Sequence, residues 1–311
     1  MSKPPKNSTA LCSSSSRRSR QLNGTILVAG ATGRVGSAAV HYLLHAGFGV
    51  RALVRSAKGG ERLRSSGVEV VVGDVTQLDS LAPAVEGCSG VHSTLAAGPG
   101  RGSAAEVEYR GNRNLLSAVE EAGVSRFVYS SALFVDHPLA QRVGVFREKW
   151  CFEEVLLRAR SVSATALRPA MFMETLLLAK GGPFAFVAGR QKHPASWISA
   201  SDVALAAVQA FLEDITGRYD LAGPDLESFD GAYARLARTQ GRKIPVLHPP
   251  LALMRFPGLL LSEVRELANM FAFFDAVGYA ADPAPLRERF GVRAQILEEW
   301  AGGVSGNAAV G

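Results

Sequence analysis

An apolar run that breaks into three evenly spaced glycines and then into a helical pattern admits few folds. Residues 26–40, ILVAGATGRVGSAAV, are such a run. "TILVAG" reads as a buried strand, and "RVGSAAVHYLLHAG" as an amphipathic helix that stops at Gly47. Between them Gly30, Gly33 and Gly36 form a G-x-x-G-x-x-G turn. Gly30 suits the tight turn, Gly33 lets a pyrophosphate approach the backbone, and Gly36 lets the helix pack on the sheet. The N–H groups at the helix start then face the phosphates. In this strand–turn–helix setting the motif predicts a dinucleotide site with contacts from Gly30, Thr32, Gly33, Arg34, Val35 and Gly36. The alternative is a turn that only packs the helix.

The pattern continues. "GVRALVR", "GVEVVVGDV", "GVHSTLAAG", "RFVYSSA" and "VSATALRPA" read as further strands. Helical stretches separate them, among them "AAEVEYRGNRNLLSAVEEAG" and "FREKWCFEEVLLRAR". Pro83 makes the helix in "LDSLAPAVEGC" late or irregular. This alternation predicts an α/β fold, a Rossmann-type doubly wound parallel sheet. Past residue 170 a smaller mixed region follows, with "SASDVALAAVQAFLE" and "SFDGAYARLARTQGRK" helical and "RYDLAG" a strand. We read one unit over 24–311, its core about 24–170 and its substrate side about 171–300, behind a disordered tail, 1–23. The last ten residues, rich in Gly and Ala, read as frayed.

Charge narrows the function classes. Nine of the 34 Lys and Arg fall within residues 1–60, which contain no acid; the other 25 face 28 acids. The basic balance therefore belongs to one end and does not argue for a nucleic-acid surface. The Ser- and Arg-rich start lacks the apolar stretch of a secretory signal. We read a cytoplasmic protein, with an organelle address (plastid or mitochondrial) in the tail as the alternative. No apolar run spans a membrane; the longest, "PPLALMRFPGLLL", is interrupted by Arg255 and Pro257. Cys12, Cys88 and Cys151 are scattered, without metal-ligand spacing, and fit a reducing compartment. Cys151, beside the lysine helix, is expected to be buried.

The second strand decides which dinucleotide binds. An NAD site offers an acid there to the ribose 2′-hydroxyl. This chain offers "LVRSAK", with Arg55 and Lys58, and Arg34 lies in the glycine turn. Guanidinium groups bind a 2′-phosphate bidentately, so NADP(H) is the expected cofactor. Asp74 ends the third strand, where it suits either the adenine amino group or a turn toward Leu78. Val75, Ala96 and Ala97 end their strands on the same edge.

Jointly "GATGRVG", "GVEVVVGDVTQLDSLAPAVEGC", "NLLSAVEEAGVSRFVYSSAL" and "TALRPAMFMET" resemble the NmrA-like group of atypical short-chain dehydrogenase/reductases, over roughly Thr25 to Gly223. The resemblance implies a Rossmann core, NADP(H), and a C-terminal part closing over the nicotinamide. It also implies two possible roles: reductases of quinones or phenolic compounds, and regulators that bind the dinucleotide without turnover.

Typical relatives use a Tyr and a Lys four residues later on one helix face. Here Lys149 remains, and Val145 stands in place of the Tyr. Lys149 is expected to hold the nicotinamide ribose or supply a proton; the bland reading pairs it with Glu153 at i,i+4. Ser131 is the expected polar contact, and Tyr129, one residue before Ser130, is expected to point away from Ser130 by strand alternation. Pro169 and Met171 are expected beside the nicotinamide, in an apolar wall suited to hydride transfer. His137 is the one histidine near the expected substrate mouth, and His41 and His45, at i,i+4, lack a third metal ligand. No G-x-S-x-G or H-E-x-x-H occurs. The sequence thus predicts an NADPH-dependent reductase of a small apolar carbonyl, quinone or enone, with no metal and no nucleic-acid partner. Its rival is a non-catalytic sensor or assembly protein. An open apolar cavity containing Lys149 favours the first; plugging by Phe146, Met171 or Phe172 favours the second.

Overall fold

The computed structural model describes residues 23–98, 102–178, 184–254, 258 and 261–307. All of the expected tail except Asn23, and both Arg255 and Pro257, lie outside the described residues. Strands β1 (Thr25–Ala29), β2 (Gly49–Val54), β3 (Glu69–Val72), β4 (Gly90–Ser93), β5 (Arg126–Ser130) and β6 (Ser163–Pro169) fall where the apolar runs predict them. With β10 (Gly217–Leu221) they form one parallel sheet in the order β10-β6-β5-β4-β1-β2-β3. The order reverses beside β1, and that reversal opens a crevice at the carboxyl ends of the strands.

Helices α1 (Arg34–His45) and α7 (Ala200–Leu212) cover one face of the sheet. Helix α4 (Asn112–Glu121) and helix α5 (Gly144–Arg158) cover the other. Strand β1 shows why two covers are needed. Ile26 and Val28 join the cluster with Leu43 and Phe211, whereas Leu27 and Ala29 join the one with Leu115 and Phe152. Burying side chains of this size contributes about 1.5–3 kcal/mol each. Helix α7 starts as its sequence predicts: Ser199 Oγ accepts from the Asp202 N–H, and Asp202 reciprocates at the Ser199 N–H.

Helices α2 (Glu61–Arg64) and α3 (Ala82–Val85) are single turns, the second with Pro83 in its first turn, as expected of a late or irregular helix. The long helix ending near Gly123 is not α-helical throughout. Residues Ala105–Gly111 form π-helical turns before α4 begins. Cys151 is exposed, contrary to expectation. The sunk face of α5 carries Phe152 and Leu156, which leaves Cys151 on the outward stripe with Arg147 and Arg158.

Beyond β6 lie α6 (Thr175–Leu178), α8 (Phe229–Thr239), α9 (Ser262–Val277), α10 (Ala284–Glu288) and α11 (Leu297–Asn307). Short strands β7 (Met171–Phe172), β9 (Ala195–Ile198) and β11 (Asp225–Glu227) make a second sheet, and β8 (Ala185–Phe186) pairs with β12 (Val246–Leu247). The expected fraying of the last ten residues fails in part, because α11 runs to Asn307. Its first turn is anchored: the Leu297 N–H donates to Asp225 at 2.6 Å, and Leu297, Trp300 and Ala301 are buried.

Candidate functional site

The glycine turn sits at the reversal of strand order. Gly30 has φ +89°, and a Cβ there would stand 2.6 Å from the Thr94 carbonyl oxygen. The Gly33 N–H donates to the Gly30 carbonyl at 2.8 Å and closes the turn. A Cβ on Gly36 would collide with that same carbonyl, so Gly36 sets how closely α1 meets the sheet. Gly33 is the N-cap of α1 and has no side chain to satisfy the first N–H groups. Such a helix start is a ready anion site.

From this turn a cavity of about 860 Å³ follows the carboxyl edge of the sheet. Gly30, Thr32, Gly33, Arg34 and Val35 line its start; Arg55, Asp74, Val75 and Ala96 line it after β2, β3 and β4. Ser130, Ser131, Pro169 and Met171 follow after β5 and β6, with Lys149 from α5. Of the site residues expected from sequence, Gly36 and Ala97 are not in the lining. Gly36 lies beneath the turn, and the Ala97 N–H is committed to Glu108 Oε1 at 3.0 Å. Asp74 lines the cavity, but it does not cap the turn at Leu78: its Oδ1 accepts from the Thr76 N–H at 2.9 Å, and the N-cap there is Gln77.

Lys149 does not pair with Glu153. Its Nζ lies 2.9 Å from Glu108 Oε2 and donates to the Ser130 carbonyl at 3.1 Å. The ring of the buried Tyr129 lies 5.3 Å from the ammonium, a cation–π contact. Glu108 is itself buried within the π-helical turns, with Asn112 Nδ2 donating to its carbonyl at 2.8 Å. π-Helical turns concentrate at functional sites, and here one delivers a carboxylate to the lysine. Glu153 serves another group. It accepts from Ser131 Oγ at 2.7 Å and from Arg168 Nε at 3.0 Å, and pairs with Arg218. Both guanidinium groups also lie over the Trp150 ring, 5.5 Å and 4.8 Å from its centroid.

The two serines therefore differ. The Ser131 hydroxyl is committed to Glu153, whereas Ser130 Oγ meets His92 Nε2 at 3.2 Å. His92 is fully buried on β4, and burial pushes its pKa down to about 3, so the ring is neutral. Its Nδ1 has no partner among the described residues. A buried bare acceptor costs less than a buried orphan N–H, which favours the tautomer with the proton on Nε2. His92 then donates to Ser130, leaving the Ser130 hydroxyl hydrogen for the cavity. Sequence reasoning missed this pair because the two residues are 38 positions apart and meet only through the pairing of β4 with β5.

The far wall is apolar: Phe146, Met171, Phe172, Met270, Phe274 and Tyr279. They line the cavity rather than fill it. Phe146 lies against Phe273, Phe274 and Tyr279 at centroid distances of 5.5–6.4 Å. Val145 is absent from the lining and packs against the core. His137 is also absent from it; its Nδ1 accepts from the Leu139 N–H, and its ring meets Phe273. His41 and His45 meet at a tilt on the surface of α1, and the described residues contain no cluster fit to hold a metal ion.

Residues 30–214 match the family model described as NAD(P)H-binding. An NAD(P)H azoreductase of Xenophilus azovorans is 30% identical over 70% of this chain and 75% of its own length. A photosystem II assembly factor of Synechocystis sp. is 26% identical over 86% of this chain and 85% of its own. The crystal structure of an NADPH-dependent quinone oxidoreductase from Escherichia coli, complexed with NADPH, superposes with a TM-score of 0.75. It is 21% identical, covering 90% of this chain and 99% of that one, and so speaks for the fold.

Proposed function

This chain belongs to the NAD(P)H-binding family, as an NmrA-like atypical short-chain dehydrogenase/reductase, and on that premise we propose that it is an NADPH-dependent reductase of a small, flat, apolar carbonyl, quinone or enone. The family match meets the cofactor expectation. The residues present fit a dinucleotide: the uncapped start of α1 and the Cβ-free turn suit the pyrophosphate, and Arg34 and Arg55 flank the place for a 2′-phosphate. When bound, NADPH supplies the hydride.

The observation that carries the reading is the union, in one cavity, of Lys149 held by Glu108 with an apolar wall. Lys149 would hold the nicotinamide ribose and stand ready with a proton. The Ser130 hydroxyl would meet the acceptor oxygen. Phe146, Met171, Phe274 and Tyr279 would exclude water and select a planar substrate. The NAD(P)H azoreductase among the similar proteins supports a reductase reading.

A second reading rests on Val145, which leaves the site without the phenol its typical relatives use. On it the chain binds NADPH and acts as an assembly protein, as the Synechocystis relative is named. Titration with NADPH and NADH, followed by acceptor-dependent NADPH oxidation, separates the two. The reductase reading expects turnover of at least one quinone or enone. We place this chemistry in the cytoplasm, or in an organelle if residues 1–23 act as an address, which a fluorescent fusion of that segment resolves.

A further inference from the structure

We infer that the face built by β8 and β12 docks on an anionic lipid bilayer. Phe186 and Leu247 are register partners on these parallel strands, so their side chains leave the pair on the same side. They are 62% and 42% exposed, next to the equally open Phe184. The partners facing inward, Ala185 and Val187, are buried in the core, so the pair has one anchored and one open face. Leu253 and Leu261 are also exposed. Gln191 Nε2 donates to the Phe271 carbonyl at 3.0 Å and ties the exit of β8 to α9.

The charges show what covers this surface. Segments 184–193 and 240–254 contain no acid. They carry Arg190, Lys192, Arg242 and Lys243, all exposed and none in an ion pair among the described residues. Of the nearby acids, Asp230 pairs with His248 and Glu266 accepts from the Gly144 N–H, while Glu263 on α9 is exposed. Open Phe and Leu beside unpaired Lys and Arg is the composition of a peripheral membrane face. The apolar tips enter the headgroup boundary while the bases meet anionic lipid. An acidic protein would match the bases, but leaves an apolar area of this kind without a stated complement. No described helix is long and apolar enough to cross a membrane, so the contact is with the surface.

One stripe of α9 runs from an exposed leucine to the cavity. Leu267, exposed, precedes Met270 and Phe274 at i+3 and i+7 on α9, and the last two line the cavity wall. An acceptor dissolved in lipid would meet that stripe first. This last point rests on the reductase reading; the docking itself does not.

The test is co-sedimentation of the full chain with vesicles of phosphatidylglycerol and phosphatidylcholine, against phosphatidylcholine alone. Binding to the anionic vesicles, weakened by salt, is expected. The Phe186→Ser/Leu247→Ser variant should bind at least about tenfold more weakly, and Lys192→Glu/Lys243→Glu likewise. NADPH affinity, measured in the same samples, should stay unchanged, since none of the four residues lines the cavity. Absence of binding to anionic vesicles overturns the proposal. So does equal binding by the wild type and both variants, or binding to polyglutamate without binding to vesicles. NADPH oxidation does not enter the readout, so failure here is distinct from failure of the reductase reading.

Discussion

The Nζ of Lys149 and Oε2 of Glu108 stand 2.9 Å apart, and both side chains are almost wholly shielded from water. The pair joins two elements that flank the cavity, and Glu108 also holds the Ala97 N–H on the cofactor edge. A buried pair is costly to break from one side, at about 3–5 kcal/mol, yet replacing both members is often tolerated. Lys149→Met alone is therefore expected to lower stability by at least about 2 kcal/mol, since its ammonium retains some water contact. Adding Glu108→Gln, which can still accept from Ala97, should recover most of that loss in urea titrations. If the single and double variants are equally unstable, the pair has been misread.

Cofactor choice should rest on Arg34 and Arg55, which line the cavity from two elements. Losing a charge-assisted contact costs about 1.5–3 kcal/mol. Arg55→Asp should accordingly weaken NADPH about 10- to 100-fold while changing NADH little. Isothermal titration with both nucleotides reads this, and equal losses would remove Arg55 as the discriminating residue.

His92 makes stability depend on acid. Its folded pKa is pushed down by burial from 6.5 to about 3. Between those values the unfolded chain binds the proton and the folded chain does not. Stability is therefore full above pH 6.5 and falls as pH drops toward 3, by up to about 1.4 kcal/mol per unit. His92→Gln should flatten the slope of stability between pH 4 and 6.5. An unchanged slope would show that another group carries the acid sensitivity.

The same histidine tests the orientation of Ser130. With ¹⁵N-labelled histidine, the His92 ring should show protonated Nε2 and bare Nδ1. Ser130→Ala should lower kcat more than it raises KM for the acceptor, about 10-fold or more, because the hydroxyl acts where charge develops. Protonation on Nδ1, or a loss confined to NADPH binding, would contradict this assignment.

The glycine turn should be intolerant of a single methyl. The Cβ of Gly36→Ala would meet the Gly30 carbonyl, which is backbone and has little room to yield. Helix α1 must then move off the sheet at about 1–3 kcal/mol, and NADPH binding should fall with it. Normal affinity in Gly36→Ala would mean that the turn does not hold the pyrophosphate.

The parts of the fold legible in the sequence are those governed by local periodicity. Strands β1 to β6 are short, apolar and flanked by helical patterns, so type and order follow without tertiary knowledge. The small strands β7, β8, β9 and β12 escaped notice because each is two to four residues long and exists only through its partner. The site divides in the same way. Gly30, Arg34, Arg55 and Lys149 belong to spacings that can be read along the chain, and they line one cavity. Glu108, His92, Met270 and Phe274 do not, since their meaning lies in what the sheet and α9 bring beside them. Lys149 and Glu153 illustrate the limit. Their i,i+4 spacing allows a pair, the bland alternative for Lys149, but Glu153 is held instead by Arg168 and Arg218.

The most direct test is NADPH oxidation against a panel of quinones and enones, run with the wild type and the Glu108→Gln/Lys149→Met variant. The account predicts turnover by the wild type on at least one acceptor. It predicts a loss of about 100-fold or more in the variant, which still folds and still binds NADPH. Tight NADPH binding by the wild type with no oxidation by any acceptor would contradict it, and would leave this chain a dinucleotide-binding protein without turnover.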